Sequence, residues 1–296
     1  MTYRENYERW LSSDKVDEAT KAELRAIADN DEEIEFRFIK DLEFGTGGLR
    51  GTMVAGTNAM NVYTVAHATQ GLADLINKEG KAAMGVAVGC DSRNNSRLFA
   101  ETAACVLAAN GIKVHLFRGI RPTPVLSFAV RELHCIAGIN ITASHNPKQY
   151  NGYKAYWEDG AQLPPDHAKT VSEFIAAADI FDDVKQMKLE DALASGIVEY
   201  IPDEFDEIYL KNVLAEAVNP KVVAEVADDL KIVYTPLHGA GYKLVPEALK
   251  RIGLKHIYPV EEQMVLDGNF PTVDFPNPEY PAGFKLGIEL AEEVGR

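Results

Sequence analysis

The stretch TASHNPKQYNGYKAYWEDGAQ, residues 142–162, decides the fold. It follows a mostly apolar run, Ile136–Ile141, and opens with Ser144, His145 and a turn stopped by Pro147. Lys148, Lys154, three tyrosines, Trp157 and the turn Glu158-Asp159-Gly160 follow within the same span. An apolar run that ends in such a loop reads as a buried strand delivering reactive groups to a sheet edge. Ligand chemistry in open α/β sheets sits at strand ends of this kind.

Ser144 has three readings. Serines commonly cap helices or close turns. A hydrolase nucleophile would need glycines two residues to either side, and those positions hold Thr142 and Asn146. Neighbouring side chains of an extended segment point to opposite faces, so His145 can serve Ser144 as a base only if the loop bends sharply. The third reading is a serine at a loop tip that accepts and passes on a phosphoryl group. Lys148 and Lys154 would then supply local positive charge, and Asn146 with the loop amides would supply donors.

The string Thr142-Ala143-Ser144-His145-Asn146-Pro147, followed by Asn151-Gly152-Tyr153-Lys154, resembles the active-site signature of the α-D-phosphohexomutases. A second stretch points the same way. Phe44-Gly45-Thr46-Gly47-Gly48-Leu49-Arg50-Gly51 has four glycines in seven residues, which lets backbone approach a ligand and turn amides toward a phosphate. Glycines alone would make this a turn between helix and strand. Arg50 adds a guanidinium suited to phosphate, and the string is similar to the family's opening motif.

Outside these motifs the chain alternates. Asn61–Asn77, Arg97–Asn110 and Pro122–Leu133 read as helices; Met84–Val88, Lys113–Phe117 and Ile136–Ile141 read as strands. Tyr153–Trp157 alternates like an edge strand, and Asp166–Ala177 reads as a helix entered through Pro164-Pro165. The acidic segment Phe181–Glu199 reads as a connector. Such alternation argues an α/β layered domain. The Asp91-Ser92-Arg93 turn fits either a helix cap, with Asp91 or Asn95 taking amides, or a substrate contact. His67, His115 and His134 are scattered singly and carry no assignment.

Three units are expected. Residues 1–40 form a helical extension in which Tyr3, Tyr7, Trp10 and Leu11 share a face. Ser12-Ser13-Asp14 is read as the next helix's cap, and the charge run as a solvated face. Residues 41–201 carry the serine loop. Residues 202–296 hold a helix, a strand at Lys231–Tyr234, the turn Thr235–Gly241, a helix over 242–252, a strand at His256–Val260 and a last helix over Phe284–Val294.

Composition bounds the chemistry. With 296 residues, 46% of them hydrophobic, the chain is long enough for a sizeable core in two domains. A net charge of −15 argues against a nucleic-acid surface, so positive potential must be built locally at the site. Cys90, Cys105 and Cys135 lie among apolar residues and read as buried thiols of a cytoplasmic protein. The charged N-terminus is not a signal peptide, and no apolar run approaches the ~18 residues of a membrane span. Oligomeric state is not legible.

The resemblance implies three-layer α-β-α domains with mixed sheets, one complete and a second cut short. It implies an isomerase, an intramolecular phosphotransferase of carbohydrate metabolism, in which phosphorylated Ser144 gives its phosphoryl group to a hexose monophosphate and regains one from the bisphosphate. By resemblance His145 and Lys154 lie at the reacting groups, with Lys154 an acid/base candidate. Thr46, Gly47, Arg50, Asn146 and Lys148 would hold phosphate. Magnesium would bind Ser144 through its phosphate, and glucose 1,6-bisphosphate would be the activator. FGTGGLRG and YNGYKAYWEDGAQ look more like the phosphoglucomutase and phosphopentomutase branch, which puts glucose phosphate first, pentose phosphate second and mannose phosphate third. The family's Asp-x-Asp-x-x-Arg metal loop and its later domains have no match here, so the chain reads as a fragment that is slow or inactive alone. A non-catalytic sugar-phosphate-binding module, a structural fragment and a phosphatase are the alternatives.

Overall fold

The computed structural model describes residues 1–295. Three short helices come first: α1 (Tyr3–Ser12), α2 (Glu18–Ala26) and α3 (Asp31–Phe38). There follow β1 (Leu49–Thr52), α4 (Val62–Lys78), β2 (Val86–Cys90), α5 (Ser96–Ala109), β3 (Val114–Phe117), α6 (Thr123–Glu132), β4 (Ala137–Ile141), β5 (Tyr150–Trp157), α7 (Pro165–Ala177), α8 (Leu189–Ala194) and β6 (Val198–Ile201). The last stretch holds α9 (Phe205–Ala215), α10 (Pro220–Val226), β7 (Lys231–Tyr234), α11 (Leu244–Arg251), β8 (His256–Pro259), α12 (Glu261–Met264) and α13 (Lys285–Gly295).

The larger sheet runs β1-β5-β4-β2-β3-β6. β4, β2, β3 and β6 are mutually parallel, while β5 and β1 add on antiparallel. It is an α/β unit with a mixed sheet, apolar on both faces. Val86, Val88, Ile139, Ile141 and Tyr153 pack with α4, α5 and α7 on one side. Ala87 and Tyr156 pack with α6 and α9 on the other. Alternate strand residues point to opposite faces, so the parallel strands read as largely apolar runs, unbroken in β2 and interrupted once each in β3, β4 and β6 by His115, Asn140 and Glu199. α5 leaves β2 toward one face and α6 leaves β3 toward the other, which reverses the winding around β2 and opens a crevice at the carboxyl ends of β2 and β4. A second sheet pairs β7 and β8 in parallel.

Two expectations fail here. β5 is no edge strand: β1 covers its outer side in the register Leu49↔Tyr153 and Arg50↔Gly152. The glycine-rich stretch reaches forward to form that extra strand, a long-range pairing that period-two alternation cannot show. The segment 181–199 is no mere connector, since it holds α8 and the start of β6. β6 extends the sheet in parallel to β3, with the acidic Glu199 beside His115 at 2.9 Å.

The N-terminal helices pack an aromatic cluster of Tyr7, Trp10 and Phe38 against Tyr63 of α4 and Phe181. The charge run is partly structural rather than simply solvated. Buried Arg37 holds Glu33 and Glu23, and Glu23 accepts from the Ala55 amide at 2.9 Å.

The cap of α2 is Asp17, not Ser12-Ser13-Asp14. Its Oδ1 accepts from the Thr20 amide at 2.9 Å, and Oδ2 takes the Thr20 and Tyr63 hydroxyls at 2.7 and 2.8 Å. Burial pushes the Asp17 carboxyl up, but these donors outweigh it and hold it at about 2. A depressed carboxyl contributes stability that is present above the ordinary 3.8 and fades as pH falls toward about 2. Asp17→Ala is expected to cost about 1 kcal/mol near neutral pH, no more because the group is largely solvated. The gap between urea midpoints of the two proteins should narrow below pH 3.8; a gap independent of pH would contradict the charged cap.

Candidate active site

Ser144 sits in the crevice at the carboxyl end of β4. Thr142 and Ala143 are buried, Ser144 and His145 exposed. Ser144 has φ 56°, the left-handed region that disfavours side chains and costs on the order of 1–2 kcal/mol for a residue other than glycine. Local bonds hold it there: its amide donates to Thr142 Oγ1 at 2.9 Å, and the Asn146 amide donates to Ala143 O at 3.1 Å. This is the sharp bend on which a Ser144–His145 contact depends, and Ser144 Oγ lies 3.4 Å from His145 Nδ1.

The largest restraint on the loop comes from Arg93, 4% exposed. Its Nη1 donates to Pro147 O and Tyr150 O at 3.0 and 3.1 Å; its Nη2 donates to Ser144 O and Asn146 O at 2.9 and 2.6 Å. Four carbonyls of one loop converge on one planar guanidinium, a geometry lysine cannot reproduce. The Asp91-Ser92-Arg93 turn does not cap α5: Asp91 Oδ1 accepts from the Arg93 amide within the turn at 3.0 Å and from the Ser96 hydroxyl at 2.7 Å, but from no amide of the helix. Asn95 makes no side-chain cap. Nothing in the sequence pattern separates Arg93 from a surface arginine; its role exists only once β2 and β4 are adjacent.

The glycine-rich stretch approaches from the other side. Gly45 and Gly48 close a turn on β5, with φ 78° at Gly48. A Cβ there would stand 1.8 Å from Tyr153 O, so only glycine lets the turn lie on the strand. Thr46 and Gly47 are exposed at its tip, connected to the serine loop through β1. Arg50, also exposed, donates from Nη1 to Asn146 Oδ1 at 3.1 Å. Lys148 is exposed in the loop. Half-buried Lys154 faces Asn140 across the β4–β5 ladder; burial and then the Arg50 charge push it below the ordinary lysine value, with Asp91 opposing. Asp91 itself is pushed up by burial, against the hydrogen bonds of Thr142, Arg93 and Ser96.

A cavity of about 340 Å³ adjoins Ser144, lined by Arg121, Asn140 and Thr142 on one side and by Thr235, Pro236 and Phe270 on the other. Buried Asn140 donates to Thr123 Oγ1 at 2.8 Å but leaves its Oδ1 without a partner. It is the one polar side chain of its strand, and that interruption of the apolar run is a signal a sequence reading could have used. Among the described residues no group of three or more His, Cys, Asp or Glu could hold a metal ion, so the residues present do not form a magnesium site. The three cysteines are buried, their thiols pushed up to about 12, 11 and 12 for Cys90, Cys105 and Cys135, largely by burial. Among the described residues no helix is long and apolar enough to cross a membrane.

Residues 41–180 match the family profile described as phosphoglucomutase/phosphomannomutase, alpha/beta/alpha domain I, and residues 207–296 match domain II of the same description. The chain belongs to the phosphoglucomutase/phosphomannomutase family. It is 36% identical to a Saccharomyces cerevisiae phosphoribomutase, over 96% of this chain and 48% of that one. It is 38% identical to a Staphylococcus saprophyticus phosphoglucomutase, over 86% of this chain and 45% of that one. A crystal structure of a phosphoglucomutase/phosphomannomutase family protein from Burkholderia thailandensis, 21% identical, shares the fold with a TM-score of 0.62, covering 84% of this chain and 50% of that one. The chain thus spans about half the length of the curated phosphomutase relatives it matches.

Proposed function

We propose that this chain is the phosphoryl-carrying part of a sugar-phosphate mutase, with Ser144 as the carrier. The observation that carries the reading is an exposed serine, strained at a loop tip, set among Arg50, Lys148 and Lys154 in a chain of net charge −15. Phosphoryl transfer asks for positioning and charge neutralisation, which this arrangement supplies. We assign domain I to residues 41–201, because β6 belongs to its sheet, domain II to 202–296, and the extension to 1–40.

In the forward step Ser144 Oγ attacks a phosphorus of a sugar bisphosphate. The P–O bond to the sugar breaks, and the sugar oxygen leaves to become a hydroxyl. Arg50, fixed by Asn146, meets the phosphate charge with Lys148. Thr46 and Gly47 offer amides from the hairpin tip. Lys154 in its neutral form takes the serine proton and, once charged, gives it to the leaving sugar oxygen, and His145 orients the hydroxyl. Glucose 1,6-bisphosphate is the phosphoryl donor of first choice and glucose phosphate the acceptor. A phosphoribomutase and a phosphoglucomutase match at similar identity, which keeps pentose phosphate as the second reading.

The test is phosphoryl uptake by the intact chain, followed by mass, beside a coupled mutase assay with glucose, ribose and mannose 1-phosphates. Uptake at Ser144 with slow or no turnover is expected, since the chain spans half of its relatives. Rapid turnover would mean that the whole mutase machinery is here; no uptake from any bisphosphate would favour the non-catalytic module. Lys154 adds a pH signature. A depressed lysine reaches its neutral form at lower pH, so uptake should rise with pH through a midpoint below 10.5. Lys154→Met should remove that limb and slow uptake by about 10²-fold. An unchanged profile in the variant would exclude Lys154 as the base.

A further inference from the structure

The turn Thr235–Gly241 and the loop that follows α12 have so far no part in the chemistry. His238 of that turn is fully buried with φ 62°. Its Nδ1 meets Val265 O at 2.8 Å and its Nε2 meets Thr272 Oγ1 at 2.8 Å. Gln263, also fully buried, donates to the same Thr272 Oγ1 at 3.1 Å. Val265 and Thr272 bracket a tight turn in which the Asn269 amide donates to Asp267 Oδ1 at 2.8 Å. His238 therefore clamps the two ends of the 267–270 turn.

That turn leans on the segment that holds the serine loop. A Cβ at Gly268 would stand 2.4 Å from the Asn94 amide nitrogen, so the two backbones touch. Asn94 Nδ2 donates to Asn269 Oδ1 at 3.1 Å. Phe270, buried and itself at φ 50°, puts its ring 5.2 Å from the Arg93 guanidinium carbon. Arg93 is thus caught between the ring of one unit and four loop carbonyls of the other. A flat cation against an aromatic face gains most when water is excluded, and both groups are buried.

We infer that the 267–270 turn of the β7–β8 unit is a positioning device for the serine loop, acting through Phe270 on Arg93. Neither residue touches the reacting atoms. Their effect is to hold Ser144 in its left-handed conformation, so that the placement of the second unit sets the geometry of the nucleophile. The consequence for chemistry rests on the phosphoryl-transfer reading; the mechanical coupling does not.

Hydrogen exchange on the full, unphosphorylated chain tests it. Phe270→Ala should speed exchange of the 144–150 amides by about tenfold, with β2 and β4 unchanged; Phe270→Tyr, which keeps an aromatic face, should restore much of the protection, and Phe270→Leu should restore little. Arg93→Lys should speed the same amides at least as much, and adding Phe270→Ala to it should bring little further change, since the second contact acts through the first. Additive effects, unchanged loop exchange in Phe270→Ala, or an equal rise in β2 and β4 would each overturn the inference. Should Phe270→Ala unfold the β7–β8 unit, the same contact is lost and the loop must still loosen. Phosphoryl uptake is measured separately: uptake with no exchange effect removes the coupling alone, whereas an exchange effect without uptake removes the phosphoryl-transfer reading alone.

Discussion

Ser144→Ala is expected to abolish phosphoryl uptake while leaving the fold intact. The hydroxyl is exposed, and its contact with His145 is long at 3.4 Å, so its loss removes little stability. The backbone bonds that fix the loop involve the amide and carbonyl of residue 144, which alanine keeps. The chemical loss is complete by contrast. The nearest hydroxyl in the loop, Thr142 Oγ1, is tied to the Ser144 amide and lies in a buried residue, so it is no substitute nucleophile. A fall of at least about 10³-fold is expected if Ser144 Oγ is the group that bonds to phosphorus, as proposed. Intact-mass measurement after incubation with glucose 1,6-bisphosphate reads it directly. Ser144→Thr sharpens the argument: it keeps a hydroxyl but places a β-branched side chain at φ 56°, where such residues are outliers, so uptake should fall there too. Equal phosphate incorporation in the original and Ser144→Ala would assign the label to another residue and end the carrier reading.

The strand and the loop were legible because both are local. Ile136–Ile141 is apolar but for Asn140, and Pro147 stops the loop that follows, so the crevice position of Ser144 could be read from a short window. α4 was equally plain, with Asn61 as cap and Thr64 completing the capping box. What stayed hidden depends on pairs far apart in sequence. Whether Tyr153–Trp157 is an edge depends on residues 49–52, and whether 181–199 is a connector depends on the open side of β3. Arg93 is invisible for the same reason: its partners begin 51 residues later. His238 reads as part of a glycine-rich turn, and only the fold brings Val265 and Thr272 to its two nitrogens. Local chemistry is thus readable, whereas the restraints that make a reactive group reactive are mostly tertiary.

Asp206→Ala is expected to cost about 3–5 kcal/mol, the loss expected when one partner of a buried ion pair is removed. Arg121, just before α6, is 6% exposed and Asp206, at the start of α9, is 4% exposed. The pair is bidentate: Nε donates to Oδ1 at 2.6 Å and Nη2 to Oδ2 at 2.9 Å. Lys243, ahead of α11, adds a bond to Oδ2 at 2.7 Å, so the carboxylate on α9 ties the loop before α6 to the start of α11. Without it Arg121 keeps the Ile120 carbonyl and the longer 3.3 Å contact to exposed Asp203, too little to compensate a buried cation. The cost should come from the orphaned charge rather than from the pair's own worth. Replacing both partners by apolar residues, Arg121→Met with Asp206→Leu, should therefore recover most of the stability, because half-exposed Lys243 can turn to water. Urea unfolding at constant slope reads both variants. A double variant as unstable as Asp206→Ala would show that the pair contributes net attraction. A single variant within about 0.5 kcal/mol of the original would mean that Arg121 is solvated after all. Arg121 also lines the cavity beside Ser144, so loosening it should widen that cavity.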